Sequence, residues 1–69
     1  MTLSARNRLQ GTVTAVETDG LMGEVVVELA DGQEVSSIIT ANSVERLGLS
    51  EGDEVSAVIK ATEVMVEKD

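Results

Sequence analysis

A chain of 69 residues with no cysteine, histidine, proline, phenylalanine, tyrosine or tryptophan has few ways of holding itself together. Disulfides and Cys/His zinc sites, the usual supports of a very small fold, are both excluded. Any core must be assembled from Val, Ile, Leu, Ala and Met. A chain this short buries only roughly 60% of the surface its unfolded form exposes, so a core of small aliphatic side chains is marginal in isolation. Burial against copies of itself is the remaining route to stability, and a symmetric homo-oligomer is expected. There is room for one domain, residues 1–69, with no linker and no internal repeat.

Periodicity makes that domain a β-structure. Around Leu9, Gly11, Val13 and Ala15 the polarity alternates, which predicts a first strand over residues 8–16, broken by Thr18-Asp19-Gly20. The Val25-Val26-Val27 run predicts a second strand over residues 22–29. Asp31-Gly32 is a hairpin signal joining it to a third strand over residues 33–40. Asn42 or Ser43 caps a short helical stretch, residues 44–47, with Glu45 in its first turn and Gly48 closing it. Val55, Ala57 and Ile59 alternate with Ser56, Val58 and Lys60 in a fourth strand, and residues 62–66 predict a fifth with Val64 and Val66 on one face. Five short strands with one helical turn between the third and fourth describe an all-β fold, a small five-stranded OB-like barrel.

Charge removes several classes of function. Thirteen acidic against five basic residues give a net charge of -8, which repels nucleic acid and anionic membrane surfaces. Without aromatic rings there is also no platform for stacking bases. No apolar run approaches the ~20 residues of a membrane span, and the N-terminus lacks a signal-peptide layout, so a cytoplasmic location is expected. Catalysis is not expected, because no serine sits in a nucleophile–base constellation and neither histidine nor cysteine is present. The acidic groups Asp31/Glu34 and Glu51/Asp53/Glu54 lack the ordering of a calcium loop and are expected to be solvated turns.

Against this acidic background, three segments concentrate hydrogen-bond donors: Ser4-Ala5-Arg6-Asn7 where the first strand begins, Thr40-Ala41-Asn42-Ser43 after the third, and Lys60-Ala61-Thr62 after the fourth. Together they suggest a site for a small anion. Arg6 offers a planar fork of N–H groups, Lys60 a compact charge, and Ser4, Thr40 and Ser43 hydroxyls that rotate to donate. A helix starting near Ser43 would add free amides.

The blocks Ser-Ala-Arg-Asn-x-Leu-x-Gly at residues 4–11, Ile-Thr-x-x-Ser-Val-x-x-Leu-Gly-Leu at 39–49 and Gly-Asp-x-Val-x-Ala-x-Ile-Lys-Ala-Thr-x-Val-Met at 52–65 resemble the molbindins, which are free-standing Mop domains. The resemblance covers nearly the whole chain. It implies an OB-like barrel assembled as a hexamer, a trimer of dimers, holding molybdate or tungstate between subunits without cofactor or catalysis. By motif position it implies Ser4, Arg6, Thr40, Ser43, Lys60 and Ala61 as oxyanion ligands, with Asn7, Val44 and Thr62 as supporting neighbours. Some relatives carry Ser where this chain has Ala61, so that position offers only its backbone N–H.

The chemistry agrees with these assignments. Molybdate is a fully ionised tetrahedral dianion at neutral pH, so all its oxygens accept hydrogen bonds, and a site made only of donors suits it. Charge-assisted bonds contribute about 1.5–3 kcal/mol each, enough for a handful to hold an anion against an acidic surface. Each residue also has a plainer reading. Arg6 can pair with a carboxylate such as Glu63, Asn7 can bond backbone where the strand begins, Ser43 can cap the helix, Thr40 can end a strand and Lys60 can be solvated, while Met22 and Met65 read as core fillers. At the level of the whole protein, the alternative to oxyanion storage or buffering is a non-catalytic oligomerisation module that contacts a larger transporter or regulator.

Overall fold

The computed structural model describes residues 7–69. Four antiparallel strands, β1 (Asn7–Asp19), β2 (Met22–Leu29), β3 (Glu34–Thr40) and β4 (Glu54–Ile59), form one sheet in the order β3-β2-β1-β4. A seven-residue helix, α1 (Ala41–Leu47), connects β3 to the loop before β4, and a single 3-10 turn, Ala61–Glu63, follows β4. Residues 62–66 form no strand in this chain, so the observed sheet has four strands where alternation predicted five.

The long first strand carries the architecture. It pairs with β4 over residues 7–12 and with β2 over residues 11–19, with a bulge between Val13 and Ala15. The extra residue, Thr14, bends the strand and lets its two halves serve different neighbours. Gly11 lies where both ladders overlap. A Cβ there would come within 2.5 Å of the Glu28 carbonyl oxygen, so the curl at this point excludes a side chain. The predicted break at Thr18-Asp19-Gly20 falls later than expected. Asp19 still pairs with Met22, and the chain turns at Gly20, whose φ of 62° lies in the left-handed region.

Val13, Val25, Val27 and Val44 are the buried core, with Val16, Leu29, Ile39, Leu49 and Val55 packed around it. Each buried valine contributes about 1.5–3 kcal/mol relative to exposure, which is a small sum for a domain. Meanwhile Leu21, Ile38, Leu47, Met65 and Val66 remain more than half exposed. Met22 and Met65, expected as core fillers, are 48% and 94% exposed; neither packs into the core formed by a single chain.

Local chemistry explains the turns. At the β2–β3 hairpin, Gly32 takes a φ of 89°, its N–H donates to the Leu29 carbonyl (3.0 Å), and the Asp31 carboxylate accepts from both the amide (3.1 Å) and the side chain (2.7 Å) of Gln33. At the end of α1, Gly48 adopts φ 63° and donates to Glu45, while Leu49 N–H reaches back to Val44 (3.2 Å), closing a Schellman motif. Leu49 and Val44 both belong to the core, so the motif also anchors the helix. Gly23 permits that contact, since a Cβ there would lie 2.7 Å from a Val44 methyl.

Candidate functional site

Helix α1 begins one turn earlier than the sequence signals suggested, and its cap is Thr40 in place of Asn42 or Ser43. With φ -76° and ψ 149° Thr40 is still extended, and its Oγ1 accepts from Ser43 N–H at 3.0 Å while donating to Ser43 Oγ at 2.8 Å. Thr40 and Ser43 are thus brought together as a hydroxyl pair at the end of β3. The earlier start moves Glu45 out of the first turn, which contains no acidic residue. An anion approaching this end of the helix therefore meets no carboxylate from its opening turn. Fewer amides are open there than expected, because Ala41 N–H donates to Leu21 O (2.8 Å) and Ser43 N–H to Thr40. Val44 is buried with its side chain in the core, leaving only its backbone to support a ligand.

The other donor group sits after β4. Lys60, Ala61 and Thr62 are exposed and consecutive, with Lys60 as the residue before the 3-10 turn and Glu63 N–H donating to its carbonyl (2.9 Å). Asn7 Nδ2 donates to the Ile59 carbonyl at 3.2 Å, fixing the start of β1 beside Lys60. Asn7 is therefore engaged as a structural residue, in line with its plainer reading. Ser4 and Arg6 lie outside the described residues.

The two described donor groups do not meet within one chain. Asn7 opposes Ile59 at one end of β1, whereas Thr40 opposes Met22, which opposes Asp19 at the other end. β1 runs 13 residues through a molecule whose longest dimension is 35 Å. Even with a bulge in β1, Thr40/Ser43 and Lys60/Ala61 belong to opposite ends of its ladder.

Two grooves among the described residues do not substitute for a site built from these groups. A polar groove of about 490 Å³ is lined by Gln10, Thr12, Glu28, Glu54 and Ser56, and its carboxylates are the wrong sign for an anion. A second, apolar groove of about 640 Å³ lies between β3 and β4. Met22 opposes Thr40 in the ladder and the Leu21 carbonyl accepts from Ala41 N–H, so two exposed apolar residues adjoin the hydroxyl pair along the backbone. No periodicity marks this arrangement, because it arises from two strand ends and a helix start meeting.

The family model for the TOBE domain matches residues 3–66. Over 66 residues the chain is 52% identical to molybdenum-pterin-binding protein 3 of Clostridium pasteurianum, covering 96% of this chain and 97% of that protein. Among solved structures, it resembles a molybdate-binding protein from Sporomusa ovata with a TM-score of 0.93 at 40% identity, covering 99% of this chain and all of the other. It also resembles MopII from Clostridium pasteurianum with a TM-score of 0.90 at 45% identity, covering 97% and 100%.

Proposed function

The chain belongs to the TOBE domain family, as a Mop domain of the molbindin type, and from that premise we propose that it binds molybdate or tungstate at sites formed between copies of itself. The observation that carries this reading is the separation of the donor groups. Thr40/Ser43 and Lys60/Ala61 lie at opposite ends of the β1 ladder, so a site using both draws them from different chains. The proposed ligands are Ser4, Arg6, Thr40, Ser43, Lys60 and the Ala61 backbone, with Thr62 beside them. They supply charge and hydroxyl or amide protons, the complement of an anion whose oxygens only accept.

In this reading the protein stores or buffers the oxyanion as a homo-oligomer, a hexamer by family resemblance, in the cytoplasm and without catalysing a reaction. Similarity to molybdenum-pterin-binding and molybdate-binding proteins supports the ligand class, and no helix among the described residues is long and apolar enough to cross a membrane. Selectivity tests the donor-only character. Molybdate and tungstate are each expected to raise the melting temperature of the assembled protein, while phosphate at equal concentration is not. A bound ligand stabilises by mass action, and the protonated oxygen of phosphate would face another donor. Equal stabilisation by phosphate would remove the donor-only site.

A further inference from the structure

We propose that Arg8 steers oxyanions toward the Lys60 end of the molecule, raising their concentration at the site without touching the bound ion. The inference rests on the reading that Lys60 and its neighbours receive molybdate or tungstate, and it adds a residue that the donor groups do not contain. Only five basic residues oppose thirteen acidic ones in this chain, so where the basic ones fall decides whether an anion is drawn in or turned away.

Strand register places Arg8 beside Lys60. Asn7 opposes Ile59 and Arg8 opposes Val58, and the Asn7 side chain donates to the Ile59 carbonyl (3.2 Å), which ties β1 to β4 at this end. Along β4 the exposed positions alternate through Glu54, Ser56 and Val58 to Lys60, and Arg8 is exposed as well. Lys60 leaves the strand with φ -66° and ψ 137°, still extended, so it stands diagonally across from Arg8, two residues beyond Val58. Residues so related in an antiparallel pair lie about 7–8 Å apart, within reach of long side chains.

The same register keeps carboxylates away from Arg8. Val58 faces it on β4, Ser56 lies on its other diagonal, and Gln10 is its same-face neighbour along β1. None of the three is charged. β2 pairs with β1 only from Gly11 onward, and carboxylates enter at Thr12, which has Glu28 on one side and Glu54 on the other. Charge is thus separated along the β1–β4 ladder, with cations at the Asn7–Ile59 end and carboxylates at the Thr12 end. Glu63, which closes the 3-10 turn after Lys60, is the nearest carboxylate to Lys60 in sequence and offsets its charge; Arg8 restores a positive sum. A dianion about 10 Å from one positive charge in water is enriched about fourfold, and salt screens that enrichment away.

Calorimetric titration of the assembled protein with sodium molybdate, in about 0.01 M and about 1 M sodium chloride, tests the proposal. Arg8→Gln is expected to weaken binding about fourfold at the lower salt and not measurably at the higher. Arg8→Lys, which keeps the charge and loses the planar fork, is expected to match the unmodified chain. Lys68→Gln makes the same change in net charge outside every strand, and is expected to leave affinity unchanged at both salts. Equal weakening of Arg8→Gln at both salts would make Arg8 a ligand in contact with the ion, and matching losses in Lys68→Gln would reduce the effect to total charge; either result overturns steering. So does unchanged affinity in Arg8→Gln while the unmodified chain binds. An unmodified chain that takes up no molybdate would remove the proposed function, and this inference with it.

Discussion

Thr40 commits its oxygen twice, accepting the Ser43 amide and donating its own proton to the Ser43 hydroxyl. Ser43 then keeps its hydroxyl proton for an external acceptor, so of these two proposed ligands Ser43 is the one free to donate without breaking the cap, whereas Thr40 would have to turn its proton away from Ser43. Thr40→Ala should therefore lower stability by about 0.5–2 kcal/mol through loss of the cap. Ser43→Ala should leave the melt nearly unchanged and weaken molybdate binding by about 1.5–3 kcal/mol, the range for a bond to a charged group. Melts and calorimetric titration of both variants separate the roles, and unchanged affinity in Ser43→Ala would remove it from the site. Arg6→Gln is expected to weaken binding by a similar amount, about 1.5–3 kcal/mol, while the unliganded oligomer survives. Weakened subunit association with unchanged affinity would instead make Arg6 a structural partner of a carboxylate. Asp31 gives a residue-scale pH prediction. The Gln33 backbone amide, and then its side chain, hold the Asp31 carboxyl below its ordinary value of 3.8. Because the folded value is the lower one, the turn's contribution is present above about pH 3.8 and fades as pH falls through the depressed value. An NMR titration should place Asp31 below 3.8, and Asp31→Asn should abolish that part of the acid dependence.

Among the elements, β2 and the Asp31-Gly32 hairpin were legible because a run of three valines and an Asp-Gly pair, whose glycine takes a positive φ, leave little choice. The fourth strand was legible by alternation, its half-buried Val55, Ala57 and Ile59 alternating with exposed neighbours. The start of α1 was not, since Thr40, Asn42 and Ser43 are all competent caps, and only the Ala41 bond to Leu21 selects Thr40. Residues 62–66 have strand periodicity without a strand, because periodicity marks a shared face and does not supply a strand to pair with. The same holds for the site. The donor segments were visible as residue types, but the ladder register that sends two of them to opposite ends of β1 is a long-range fact. Register also exposes a cost in the sheet. Glu28 directly opposes Glu34, and Glu17 opposes Glu24, on exposed positions. Facing like charges disfavour the ladder, so Glu34→Lys should raise stability by about 0.2–1 kcal/mol in low salt, with the gain shrinking as salt is added. A decrease in melting temperature would mean that the two carboxylates do not oppose each other in the assembled protein.

For the whole molecule, four buried valines among the described residues and a rim of exposed Leu, Ile, Met and Val side chains support the expectation that copies of the chain complete its burial. No folded monomer should accumulate at micromolar concentration, and a compact folded monomer in sedimentation would refute that expectation. In the proposed account the assembly and the anion site are two consequences of one geometry, because Thr40/Ser43 and Lys60/Ala61 lie at opposite ends of the β1 ladder within one chain. Native mass spectrometry with and without molybdate tests this most directly, since it reports subunit count and anion count together. The expected result is a homo-oligomer, with six subunits by family resemblance, that gains molybdate in whole numbers, while any dissociated single chain gains none. A folded single chain carrying its own molybdate would contradict the account, because it would require Thr40/Ser43 and Lys60/Ala61 to bind independently of a partner.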